Sequence, residues 1–208
     1  NTYRPRIVDQ LLKTYLEASP AVQLAGARAS GKTTTGMQAA SSVVRIDRMG
    51  NEASELVSLN PSAVLEGELP RLLDEWQLAP SLWGAVRRAV DEDPTPGRFI
   101  LSGSAWPDST TIKHPGAGRI LNLVMRPMTL FESGDSTGSF SLSQLFNGGD
   151  PVEGAQASTH DIVDICRLIT RGGWPGWIDR PVEAAELLVE GYLENLAENE
   201  FPFVGGTR

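Results

Sequence analysis

Residues 21–39 read AVQLAGARASGKTTTGMQA. The stretch opens apolar, breaks at Gly26 and resumes with helical character near Lys32. Between the two lies GARASGKT, residues 26–33, which fits the phosphate-loop spacing G-x-x-x-x-G-K-(S/T). A triphosphate packs several negative charges into a small volume. Gly26 and Gly31 let the backbone curl so that several N–H groups point inward. The helix that follows adds the positive end of its dipole. Lys32 is placed to bridge the β and γ phosphates, and the Thr33 hydroxyl to ligate Mg2+. Chance matches to this pattern occur, but a position between an apolar strand and a helix is the context the motif requires. The expected nucleotide-contacting set is Gly26, Ala27, Arg28, Ala29, Ser30, Gly31, Lys32, Thr33 and Thr34. Arg28 either touches the nucleotide or stands in solvent, and Thr34 and Thr35 read as helix-surface or packing residues.

Working outward, short apolar runs at 21–25, 43–47 (VVRID), 71–74 (RLLD), 99–101 and 121–125 read as five strands. Helical spacing is found at 6–18, with Pro5 suited to a first turn, and at 32–40, 52–59 and 82–90. Strands that alternate with helices predict a parallel sheet with crossover connections. The expected fold class is therefore α/β, a three-layer αβα P-loop NTPase with a five-stranded parallel sheet. After Pro127 the texture changes. Residues 132–150 are rich in glycine and serine around a short apolar island, and helices are expected at 161–171 and 182–198. The expected organisation is a core at 1–130 and a small helical lid or subdomain at 131–200. Residues 201–208 (FPFVGGTR) read as the start of a linker.

With 208 residues, the chain can bury a sizeable core. The net charge of −8 disfavours broad nonspecific DNA binding, which needs a basic face. One cysteine, Cys166, excludes an internal disulfide and points to a reducing, cytoplasmic setting. No apolar run approaches the ~18 residues of a membrane helix, so no membrane partner is expected.

A magnesium nucleotide site needs a carboxylate near the phosphate loop. RLLDEWQ ends an apolar strand with Asp74–Glu75, at the strand end where parallel α/β sheets place ligands. Asp74 is assigned to Mg2+ through water, and Glu75 to orienting and deprotonating the attacking water. FILSGS, residues 99–104, again runs from apolar to polar, and Ser102 or Ser104 is a candidate partner for the γ-phosphate or the water. Trp76 reads as a packing residue.

GARASGKTT, LPRLLDEWQ, RFILSGS, HPGAGRI and MRPMTLFES follow one another in this order. In this the chain resembles a family of prokaryotic AAA-superfamily ATPases, whose ATPase core is followed by a C-terminal domain of unknown function. The resemblance runs from YRPRI to the helix before FPFVGG, and RGGWPGW strengthens it. It implies ATP and Mg2+, with Lys32, Thr33, Asp74 and Glu75 in the roles above, and a phosphate-loop strand beside the serine-ended strand. It also implies a further C-terminal domain that this chain lacks, with which the chain would be in contact. The substrate, and any protein or nucleic-acid partner, stay unnamed. The family's G-R-I element, here Gly118–Ile120, makes Arg119 a candidate for charge at the γ-phosphate, in cis or in trans; the alternative is a structural ion pair.

His114 reads as a loop residue and His160 as preceding a helix, neither at metal-ligand spacing with Cys166, which reads as a core thiol. RGGWPGW reads as a glycine helix stop with two tryptophan anchors, or as a docking surface for the further domain. Residues 3–7 either approach the adenine or pack on the first helix. Three functions compete: an ATP hydrolase that drives or gates a conformational change, a nucleotide-gated binding module with little turnover, and a small-molecule kinase. Glu75 disfavours the kinase, and no N-K-x-D motif supports GTP.

Overall fold

The computed structural model describes residues 3–50, 55, 57, 59–104, 116–149 and 159–200. His114, residues 201–208 and most of the helix expected at 52–59 lie outside the described residues. The chain forms two compact units, Asn1–Pro127 and Met128–Arg208.

The first unit is built on β1 (Ala21–Gly26), β2 (Ser42–Arg45), β3 (Arg71–Asp74), β4 (Phe99–Gly103) and β5 (Ile120–Met125). All pairings are parallel, in the order β2-β3-β4-β1-β5. The phosphate-loop strand β1 thus lies between β4 and β5. The inner strands β1, β3 and β4 are covered on both faces, which is why their runs are largely apolar, whereas the edge strand β5 exposes Leu121, Asn122 and Val124. Successive side chains still take opposite faces. Ala21, Leu73, Phe99 and Leu101 join one cluster with Trp76, Trp83, Val86 and Val90. Val22, Leu24, Leu72 and Ile100 join the other with Val8, Leu12 and Leu16.

Among the described residues, three helices traced from end to end cover these faces. α1 (Ile7–Ala18) buries Val8, Leu12 and Leu16 along one stripe. α2 (Lys32–Ala39) follows the phosphate loop, and α3 (Ser81–Glu92) buries Leu82, Trp83, Ala85, Val86 and Val90. α2 lies close to β3: a Cβ added at Gly36 would stand 2.9 Å from Leu72 Cδ1. Two boundaries differ from expectation. Arg6 caps α1 from outside, its N–H donating to Asp9 Oδ2 at 2.7 Å. The second strand stops at Arg45, because Ile46–Arg48 winds into a 3-10 turn that buries Ile46.

The second unit holds α4 (Leu130–Ser133), α5 (Leu142–Phe146), α6 (Ile162–Arg171) and α7 (Val182–Asn195), which continues as a π-helical turn, Leu196–Glu200. The glycine- and serine-rich stretch therefore carries two short helices. α4 is closed by a reciprocal cap in which Thr129 N–H donates to Glu132 Oε2 at 2.7 Å and Glu132 N–H to Thr129 Oγ1 at 3.2 Å. Gly172 ends α6, and Trp174 stacks on Trp177 at 5.1 Å with Tyr192 edge-on to both. The tryptophans are anchors within this unit. His160 precedes α6, its Nε2 2.9 Å from the Asp135 carbonyl. Cys166 is exposed, contrary to its reading as a core thiol; α6 buries none of its residues. Among the described residues, no helix is long and apolar enough to cross a membrane.

Gly36→Val forces two methyl groups against Leu72. It is expected to lower stability by about 2 kcal/mol, as overpacking does. Urea unfolding of the variant and the parent measures the difference.

Candidate nucleotide site

Strand register assembles the polar residues. Asp74 pairs with Ser102 across β3 and β4, and Leu24 pairs with Ser102 across β1 and β4. Paired residues of parallel strands project to the same face, here the face covered by α2. Thr33, in the first turn of α2, donates its hydroxyl to Asp74 Oδ1 at 2.9 Å. The Ser102 hydroxyl donates to the same oxygen. Asp74 is 4% exposed and Ser102 is fully buried.

The loop at 26–33 curls over this carboxylate. A Cβ at Gly26 would stand 2.1 Å from the Met125 carbonyl oxygen, so β5 leaves room for glycine alone. Gly31 caps α2 at φ 100°, in the left-handed region. Ala29 (φ 58°) and Glu75 (φ 56°) are the non-glycine residues with positive φ among the described residues, and both are at this site. Each such conformation costs about 1–2 kcal/mol, which is characteristic of functional sites. Lys32 is buried, and its ammonium donates to the Gly26 carbonyl at 2.9 Å and the Ala27 carbonyl at 2.8 Å. Arg28 and Thr34 are exposed, whereas Thr35 is buried and packs inward.

Donor chemistry fits a magnesium nucleotide. Ser30 is fully buried, and its Oγ has no hydrogen-bond partner among the described residues. An orphaned hydroxyl inside a phosphate loop is an observation that a bound anion would answer. Thr33 Oγ1 and the Asp74 carboxylate form a hard oxygen pair of the kind Mg2+ takes alongside phosphate and water. The Glu75 carboxylate accepts from Gln77 Nε2, which also approaches Ser104 Oγ at 3.5 Å.

The structure places Arg119 in the ion-pair alternative, away from the phosphate loop of its own chain. It precedes Ile120, which pairs with Ala21 at the start of β1, whereas the phosphate loop leaves β1 at Gly26 beside Met125. The strand between them spans about 17 Å at ~3.3 Å per residue. Arg119 therefore lies at the opposite edge of the sheet and cannot serve the γ-phosphate of its own chain. Its Nε donates to Asp91 Oδ1 at the end of α3, and the Arg119 guanidinium holds the Asp91 carboxyl below its ordinary value.

Arg6 is not singled out within residues 3–7 by the sequence. Its buried guanidinium donates to the Ser30 carbonyl at 2.8 Å and to the Arg126 carbonyl at 2.8 Å, tying the loop to the exit of β5. One signal was present: a cation at a helix start opposes the helix dipole, so such a residue needs another purpose. Tyr3 is drawn in with it, donating to Asp9 Oδ1 at 2.6 Å beside Thr35 Oγ1 at 3.1 Å. That geometry is packing of the N-terminal segment onto α1 and α2.

Arg6→Ala removes one donor from two carbonyls and is expected to cost about 2 kcal/mol in urea unfolding. Arg6→Lys recovers only part, because an ammonium lacks the planar fork. Tyr3 gives a pH test. Burial first, then its hydrogen bond to Asp9, pushes its pKa from 10.0 up to about 12. The folded state holds the proton more tightly, so this contribution is complete below pH 10 and is lost as pH rises towards 12. Melting temperatures across that window should fall more steeply for the parent than for Tyr3→Phe.

Comparison with known proteins bears on the family and the fold. The family model described as AAA domain matches residues 18–133. Uncharacterized protein Rv2008c of Mycobacterium tuberculosis and uncharacterized protein Mb2031c of Mycobacterium bovis are each 30% identical to the chain over 128 residues. That match takes in 60% of this chain and 29% of each relative, so the chain spans well under half of the relatives' length. Among solved structures, the Walker-type ATPase PABY2304 of Pyrococcus abyssi shares the fold, with a TM-score of 0.55 at 16% identity over 97% of this chain and 78% of that one. The family match covers more than half of the chain and runs through the phosphate loop, the Asp74–Glu75 strand end and β5, and the chain belongs to the AAA domain family of P-loop ATPases.

Proposed function

We propose that the chain binds Mg2+-ATP and hydrolyses it, and that turnover drives or gates a conformational change. The observation that carries this reading is the Asp74 carboxylate, held between the Thr33 and Ser102 hydroxyls directly beside Glu75. Lys32 and the loop N–H groups attract the phosphates. Thr33 and Asp74 hold the metal, which supplies positive charge to offset what develops on the phosphate oxygens. Glu75 takes the proton of the attacking water. Ser102 and Ser104 line the strand end where the γ-phosphate is expected. A second carboxylate directly after the metal-binding one suits the activation of water, which favours hydrolysis over transfer to a small molecule.

Support for a mechanical output comes from Arg6. One guanidinium grips both the phosphate loop and the Arg126 carbonyl, close before the second unit begins at Met128. The expected change is therefore passed along the chain at the end of β5.

Lys32→Ala is expected to abolish Mg2+-ATP binding in calorimetric titration. Glu75→Gln is expected to keep binding and lose about 100-fold or more in phosphate release, the scale of a general base. Unchanged affinity in the first, or normal turnover in the second, would sink the corresponding role.

A further inference from the structure

We propose that Gln77 is a positioning residue for the hydrolytic step: its side-chain amide holds the Glu75 carboxylate in register with Ser104. This rests on the reading of Glu75 as the general base.

Glu75 stands at a left-handed position between β3 and a 3-10 turn, Trp76–Leu78. That turn returns Gln77 onto the carboxylate of Glu75. The Gln77 amide nitrogen has two hydrogens. It donates to Glu75 Oε2 and reaches Ser104 Oγ at 3.5 Å. One group therefore touches both the proposed base and the end of the neighbouring strand.

The amide is held in one orientation. Its oxygen fills the space over Gly103, where an added Cβ would stand 2.1 Å from Gln77 Oε1 and 3.1 Å from Trp76 Nε1. Gln77 Oε1 and Trp76 Nε1 are both buried, and neither has a hydrogen-bond partner among the described residues. Turning the amide over would set its oxygen against the Glu75 carboxylate, acceptor against acceptor. The observed orientation avoids this. Glycine at 103 is thus explained by the amide it accommodates.

The chemistry suits a base that has to act. A lysine or arginine in this place would neutralise the carboxylate and weaken it as a proton acceptor. A neutral amide orients one oxygen and leaves the charge available. Small errors in the placement of a catalytic group are costly, up to about 100-fold for ~1 Å.

The test is a double-mutant cycle of ATP hydrolysis. Gln77→Met keeps the length of the side chain and removes both N–H groups. It is expected to lower kcat by about 10-fold or more, with KM and Mg2+-ATP affinity close to the parent's. In a Glu75→Gln background it should change nothing, because the group it positions is already gone. Gly103→Ala displaces the amide from the other side and should reproduce the loss of kcat, with thermal melting of each variant reporting that it is folded. Should Gln77→Met fail to fold, the cycle is run with Gly103→Ala. A parental kcat in Gln77→Met, or an equal loss with and without Glu75, overturns the positioning role. A parent that releases no phosphate, or a Glu75→Gln that turns over normally, overturns the hydrolytic reading itself and takes this role with it.

Discussion

The Asp74 carboxylate accepts hydrogen bonds from the hydroxyls of Thr33 on α2 and Ser102 on β4. It is nearly excluded from solvent, and a charge removed from water must be repaid by such contacts. Hydrogen bonds to a charged group contribute about 1.5–3 kcal/mol each. Their effect here is geometric as much as energetic. The acceptor belongs to one strand, and its donors belong to the neighbouring strand and to the helix that the phosphate loop begins. A shift in register of β3 against β4 would turn Asp74 to the other face and release both donors. The apolar clusters on the two faces of the sheet hold that register, so the polar site inherits its order from the core.

Around this anchor the backbone departs from its ordinary preferences. Ala29 and Glu75 occupy left-handed conformations, one inside the loop and one at the strand end. Neighbours compensate. Arg6 grips the carbonyl of Ser30, next to Ala29, and Gln77 grips the carboxylate of Glu75. The two strained positions therefore lie within reach of the groups that define the proposed chemistry, and each has its own restraint.

Much of this was legible in the sequence, for physical reasons. Strands covered on both faces leave apolar runs, and β1, β3 and β4 stood out for that reason; β5 is apolar in sequence although its edge position leaves Leu121 and Val124 exposed. The second strand was read too long because VVRID stays apolar through Ile46, which the structure buries from a turn instead of a strand. Thr33, Asp74 and Ser102 were readable because a parallel sheet gathers its carboxyl ends at one edge. The same rule would have placed Arg119: a residue that precedes a parallel strand lies at the edge where strands begin. Arg6 and Gln77 were missed because their importance comes from contacts made in three dimensions. Cys166 was misjudged because the apolar side of α6 does not find cover in the structure.

The strand order has a consequence for how the chain is made. Ala21 finds its neighbours in Phe99 on one side and Ile120 on the other, so the inner strand β1 waits for partners encoded far downstream. No hairpin can nucleate an all-parallel sheet, and distant pairing slows folding. On a ribosome, the phosphate loop would emerge long before β5 supplies the carbonyl against which Gly26 fits. During that interval Val22, Leu24 and Leu72 lack Leu123 and Met125, with which they are buried in the finished fold.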